Sequence, residues 1–182
     1  MKPTTQILTT PRMVLEEITP ESLAYIMANN TDEEIKNIMG YDDAGLALAK
    51  ERLEKGMTYY HITFKYWLLK DKTNNNTIGT CGFYRVYPDH DRAEIGYVMT
   101  GISYREQGLM KEAAQRILKY GFEEMKMHRI EAFASPTNTP SIKILEGLGM
   151  SYEGLMKEHF LKNGLYEDSA CYAILKSEYK TS

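Results

Sequence analysis

Two cysteines, Cys81 and Cys171, are all the thiol that this 182-residue chain offers. Neither has a second thiol or a histidine pair at ligand spacing, which excludes a disulfide scaffold and a zinc site. A reducing compartment is the natural setting. The four histidines, His61, His90, His128 and His159, also lack metal-ligand spacing, so no metal is expected. Long hydrophobic runs are missing as well. No stretch approaches the roughly 20 apolar residues of a membrane span. The N-terminus has no basic segment followed by an apolar one, the mark of an export signal. The expectation is a cytoplasmic protein with no membrane partner. Charge of one sign is not in excess either: 22 Lys and Arg stand against 25 Asp and Glu. The basic residues are scattered, so no nucleic-acid partner is expected.

What the chain does have is enough length for one domain with a buried core. No repeat and no linker divides it, so residues 1–182 are read as one domain. Met13–Ile18 reads as a strand. Thr19 followed by Pro20 starts a helix through Met27, and Thr31 with Glu34 forms a capping box for the next. Residues 43–57 carry Leu46, Leu53 and Met57 at helical spacing, with Gly56 near the end. Aromatic and β-branched residues cluster over 61–69 and 77–86, on either side of the polar stretch 70–76, giving an antiparallel hairpin. The strand 92–100 sets Ile95, Tyr97 and Met99 on one face and Glu94, Gly96 and Val98 on the other.

Residues 105–126 read as one long amphipathic helix, with Met110, Ala113, Ala114, Ile117, Leu118, Gly121, Phe122 and Met125 as its apolar stripe. A strand over 128–134 follows. Strand, helix and strand with short connections make a βαβ unit, whose two strands run parallel and whose ligands sit at the strands' carboxyl ends. A further helix over 140–148 leads to a hairpin of 151–162 and 166–175, turned at Asn163-Gly164.

The strand–helix junction reads Arg105-Glu106-Gln107-Gly108-Leu109-Met110. A helix N-terminus offers unpaired N–H groups and a positive dipole end, and glycine lets an anion approach the backbone. The segment is a pyrophosphate cradle or an ordinary helix start. It is neither a Rossmann fingerprint nor a P-loop.

Arg-x-x-Gly-x-Met, some thirty residues before Asn138-x-x-Ser141-x-x-x-Leu145-Glu146-x-Leu148-Gly149-Met150, resembles the two acetyl-CoA motifs of the GNAT superfamily of N-acetyltransferases. The tail Asn163-Gly164-Leu165-Tyr166-Glu167-Asp168, with Tyr172, is similar to the RimJ/RimL-type branch, which acetylates ribosomal-protein N-termini. The resemblance runs from about Arg12 to Lys176. It implies a mixed α/β fold: a twisted, mostly antiparallel sheet of six to seven strands, a central parallel pair that splays, and flanking helices. It implies acetyl-CoA as cosubstrate, with pantetheine against the backbone of Val98, Met99 and Thr100. Pyrophosphate would rest on the loop of Arg105, Gln107, Gly108, Leu109 and Met110. Asn138 would hold the cosubstrate or order the splay, and Ser141 would sit near the leaving sulfur. Many members carry a tyrosine general acid where this chain has Leu145, so the proton for the thiolate comes from Ser141 or from water. Met110 replaces a glycine-like position of the phosphate loop, as in the Rim-type branch.

Acetyl transfer needs a neutral amine, a polarised carbonyl and a proton for sulfur. Glu94 is the first candidate for the base and Glu131 the second, unless each simply pairs with an arginine such as Arg92 or Arg129. The backbone N–H near Val98 or Met99 would polarise the carbonyl. The leading acceptor is a protein N-terminal α-amine. The alternatives are a small amine (polyamine, amino acid or aminoglycoside) and a non-catalytic CoA-binding sensor. Asp32, Glu33, Glu34, Asp42 and Asp43 could attract a cationic acceptor or merely serve their helix ends. Cys81 and Cys171 read as small core residues. A homodimer stays open.

Overall fold

The computed structural model describes residues 3–54 and 63–180. The chain opens with a hairpin, β1 (Ile7–Thr9) and β2 (Met13–Ile18), followed by α1 (Pro20–Asn29), α2 (Asp32–Met39) and α3 (Asp43–Glu54). The long hairpin of β3 (Thr63–Asp71) and β4 (Thr77–Tyr87) leads to β5 (Arg92–Met99), α4 (Leu109–Glu123), β6 (Arg129–Ala134) and α5 (Thr139–Gly147). A second long hairpin, β7 (Ser151–Lys162) and β8 (Leu165–Leu175), closes the chain. The sheet order is β1-β2-β3-β4-β5-β6-β8-β7. Every neighbouring pair is antiparallel except β5 and β6.

The mixed α/β sheet with its central parallel pair is the expected architecture, but it has eight strands. The extra strand is β1, three residues held to β2 and too short to leave a periodic signal. The cap at Thr19 and the capping box at Thr31 form as read, and Thr19 makes a capping box of its own with Ser22: each threonine hydroxyl accepts from the N3 amide, and that N3 side chain returns to the cap. The expected features at His61, Met57 and Gly56 lie outside the described residues. The turn of the last hairpin holds Asn163 at φ 52° and Gly164 at φ 79°.

One boundary departs from expectation in a way that matters. α4 begins at Leu109 rather than 105, and ends at Glu123 rather than 126. Glu106 at φ 61° and Gly108 at φ 74° take the left-handed conformation, which a right-handed helix cannot contain, and Lys126 at φ 61° does the same past the other end. Residues 105–108 are therefore a loop that wraps over the helix start.

Helices cover both faces of the sheet. On one face, Ala113, Ala114, Ile117 and Phe122 of α4 pack with Trp67, Phe83, Ala93, Ile95 and Ile130 of the strands, all nearly or wholly buried. On the other, Leu23 of α1, Ile35 and Met39 of α2 and Leu46 of α3 cover Ile18 and Leu68. The alternation expected for β5 then assigns its residues. Ile95, Tyr97 and Met99 face α4 and α5, while Glu94, Gly96 and Val98 face the side of α1–α3.

Candidate active site

The parallel ladder between β5 and β6 contains three pairs, Arg92 with Arg129, Ala93 with Ile130 and Glu94 with Glu131. Both strands continue beyond it, through residues 95–99 and 132–134, without further register. Two parallel strands that part in mid-sheet leave backbone groups facing a gap, and such groups require a partner. At the mouth of this gap is a cavity of about 880 Å³, lined by Tyr97, Met99, Tyr104, Arg105, Gly108, Leu109, Met110, Lys111, Asn138, Ser141 and Lys143 among others. Its size suits a small-molecule ligand.

The cavity brings Met99, Arg105, Gly108, Leu109, Met110, Asn138 and Ser141 together from the expected cosubstrate set. The remaining three are turned elsewhere in part. The Thr100 amide donates to the Ile78 carbonyl at 3.0 Å and is thus spent on β4. By the alternation of an antiparallel ladder, the Met99 amide faces the gap while Val98 pairs with Thr80. Gln107 donates its side-chain amide to the Ser103 carbonyl at 2.7 Å, and its own carbonyl accepts from Arg12 Nη1 at 3.0 Å.

The start of α4 fits an anion on structural grounds. The helices α1, α2 and α5 carry side-chain caps from Thr19, Thr31 and Asn138. α4, the longest helix among the described residues, has Gly108 at its N-cap and no side-chain cap. Its first amides are left for a ligand. A Cβ on Gly108 would meet only Arg12 Nη2, at 3.8 Å, so the approach is open. Arg105, Lys111 and Lys143 add positive charge to the rim.

Arg12 was not foreseen as part of this site. It reaches from the β1–β2 hairpin to the Gln107 carbonyl and, through Nε at 2.7 Å, to Glu112 on the first turn of α4. Thr10 hydrogen-bonds the same carboxylate. Burial pushes the Glu112 carboxyl up, but the hydrogen bonds from Thr10 and Arg12 outweigh it and hold the group below its ordinary range. Roughly a hundred residues separate these partners, and no local pattern in the chain links them.

Asn138 caps α5, its Oδ1 accepting from the Ser141 amide at 3.3 Å. Ser141 Oγ lies 3.0 Å from the Tyr97 hydroxyl. Leu145 is buried in the core.

On the opposite face of the gap, Glu94 and Glu131 lie side by side as the last registered pair. Each has arginine partners. Arg85 Nη1 donates to Glu94 Oε2 at 3.0 Å. Arg92 reaches Glu131 Oε1 at 3.3 Å and Arg129 Nε donates to Oε2 at 3.1 Å. Arg129 also grips Glu153 with both terminal nitrogens, at 2.8 and 2.6 Å. Beside them the Tyr84 ring stacks on Tyr66, with centroids 5.7 Å apart. It also lies against Gly96, where a Cβ would come within 2.7 Å of Tyr84 Cδ2.

The five carboxylates singled out at the starts of α2 and α3 serve local roles. Glu34 completes its capping box, Asp42 accepts from the Gly45 amide, Asp32 pairs with Lys50, and Glu33 and Asp43 flank Lys36. Burial pushes both cysteine thiols up, and the charges of Glu153, Glu131 and Glu94 push Cys171 further, so neither is primed as a nucleophile. Among the described residues no group of His, Cys, Asp or Glu side chains is arranged to hold a metal, and no helix is long and apolar enough to cross a membrane.

Comparison with known proteins gives a consistent result. A family model described as acetyltransferase (GNAT) domain matches residues 12–151. An uncharacterized N-acetyltransferase of Bacillus licheniformis, p20, is 30% identical over 177 residues, covering 96% of this chain and 98% of its own. The crystal structure of a GNAT-family acetyltransferase from Bacillus anthracis superposes with a TM-score of 0.67 at 28% identity, over 95% of this chain and all of that one. The spermidine N(1)-acetyltransferase of Escherichia coli is 29% identical over 90 residues, 50% of this chain and 48% of its own.

Proposed function

Because the chain belongs to the GNAT acetyltransferase family and is an N-acetyltransferase, we propose that it transfers acetyl from acetyl-CoA to the α-amine of a protein N-terminus. Ribosomal proteins are the acceptor class that its tail motif suggests. The observation that carries this reading is the charge balance beside the gap: Glu94, Glu131 and Glu153 are each neutralised by Arg85, Arg92 or Arg129. Asp32, Glu33, Glu34, Asp42 and Asp43 of the first helices are likewise paired or spent as caps. A face so balanced suits an acceptor with one amine on a largely neutral peptide, and offers a polycation little net attraction. Acetylation of a polyamine is the second reading, favoured by the spermidine-acetylating relative.

In this scheme the uncapped start of α4 holds the pyrophosphate and the Met99 amide polarises the thioester carbonyl. Glu94, directly or through water, takes the one proton that the neutral acceptor nitrogen sheds. A nitrogen–carbon bond forms and the carbon–sulfur bond breaks. Ser141 hands its hydroxyl proton to the departing sulfur and is reprotonated through water by the proton from Glu94, so the balance closes. Of the two carboxylates, Glu94 suits the base better. Arg85 engages one of its oxygens, whereas both oxygens of Glu131 are held by guanidinium groups. Glu94→Gln is expected to lower kcat/KM about a hundredfold. Glu131→Gln should chiefly lower the melting temperature, since it strips a buried charge network of its centre. The opposite pattern in steady-state kinetics and thermal melts would exchange the two roles.

The acceptor is tested by release of free CoA thiol with ribosomal N-terminal peptides, spermidine, amino acids and aminoglycosides. An α-amine titrates near 7.7 to 8.0 and an alkylamine near 10.4. With a peptide, kcat/KM is therefore expected to rise with pH and level off just above pH 8. Turnover confined to spermidine, with a rise continuing through pH 9, would establish the second reading instead.

A further inference from the structure

Tyr97 leaves β5 toward α5, on the face opposite Glu94, and shares the cavity wall with Ser141. Its hydroxyl lies 3.3 Å from the Ser141 carbonyl oxygen and 3.0 Å from Ser141 Oγ. The carbonyl can only accept, so the phenol hydrogen turns toward the serine, where Oγ is the nearer of its two acceptors; in that shorter contact either hydroxyl can donate. At the position on α5 where a tyrosine acid might be sought, Leu145 is packed in the core at 1% exposure. The phenol near Ser141 comes from the strand instead.

We propose that Tyr97 is a positioning residue for leaving-group protonation: its O–H is given to Ser141, which turns the serine's own hydrogen toward the departing sulfur. This rests on the role assigned to Ser141 above. As that hydrogen moves to sulfur, negative charge grows on Oγ, and a fixed donor beside it stabilises the charge without reorganisation. Burial pushes the Tyr97 hydroxyl up to about 12, against the smaller downward pull of Ser141, so it keeps its hydrogen throughout the neutral range. Both of its hydrogen-bond contacts are to Ser141, so the phenol works through the serine rather than in its place.

Tyr97→Phe keeps the ring and its packing while removing the donor, so thermal melting should be little changed. With the acceptor that turns over in the panel above, kcat is expected to fall about tenfold at unchanged KM for acetyl-CoA. Ser141→Ala should lower kcat by tenfold or more, and the double variant should be no slower than Ser141→Ala alone, because the tyrosine acts only through the serine. Full kcat in Tyr97→Phe, or losses that multiply in the double variant, would overturn the role of Tyr97 and leave that of Ser141 standing. Full kcat in Ser141→Ala would remove the serine reading and this inference with it.

Discussion

Replacing Gly108 by aspartate is expected to raise the KM for acetyl-CoA by two to three orders of magnitude, with little loss of fold. Gly108 stands at φ 74° at the uncapped start of α4, with open space where a Cβ would go. Aspartate and asparagine tolerate the left-handed conformation better than other side chains, so either should leave the loop in place. The two differ in charge. Like charges about 4 Å apart repel by roughly 4 kcal/mol at the effective dielectric of a protein surface, which is close to a thousandfold. The aspartate would also cap the helix and compete for the amides proposed to hold the pyrophosphate. Gly108→Asn should raise KM only severalfold, through the same cap without the charge. Isothermal titration with CoA gives the comparison directly. Equal affinities in the two variants would mean that the anion does not sit at this helix start.

The second large effect concerns stability. Gly121 lies where α4 presses on the sheet: a Cβ there would be 2.6 Å from Phe83 Cζ and 2.7 Å from Ile130 Cδ1, both on wholly buried side chains. Valine adds three carbons to that contact and forces the buried Phe83 and Ile130 side chains to give way together. Overpacking of this kind costs about 1–3 kcal/mol, and the β-branched side chain recovers little helix propensity to offset it. At about 2–4 °C per kcal/mol for a chain of this size, a loss near 3 kcal/mol lowers Tm by roughly 6–12 °C. Gly121→Ala should lose far less, because alanine recovers about 1 kcal/mol of helix propensity. A calorimetric scan in which valine melts within a degree of the parent would contradict the close approach of α4 to the sheet.

Much of this architecture was legible because it is written locally. The cap at Thr19, the capping box at Thr31, the apolar stripe of α4, the β5 faces and the Asn163-Gly164 turn each depend on residues within a few positions of one another. What stayed hidden depends on distant partners or on backbone conformation. Arg12 meets the loop 105–108 only after β1 and β2 have joined the sheet edge. Arg85 faces Glu94 because a bulge between Phe83 and Arg85 shifts the register of β4 against β5, whereas Arg92 and Arg129 could be suspected from their nearness in sequence. The loop 105–108 has residues that a helix accepts, and the positive φ of Glu106, which keeps it out of the helix, is not typical of glutamate. Tyr97 was placed on the right face but given no role, since periodicity does not reveal where a hydroxyl finds its partner.

The short ladder between β5 and β6 also has a mechanical side. Three residue pairs join β1–β5 to the group β6, β8 and β7, so the seam bears little load by itself, and the clasp that spans it is α4, seated on Phe83 on one side and Ile130 on the other. Glu94 and Tyr97 belong to one leaf, Glu131 and Ser141 to the other. Parting the leaves by even an ångström separates Tyr97 from Ser141 while leaving nearly all secondary structure intact. Heat that loosens the clasp is therefore expected to silence the protein before it melts.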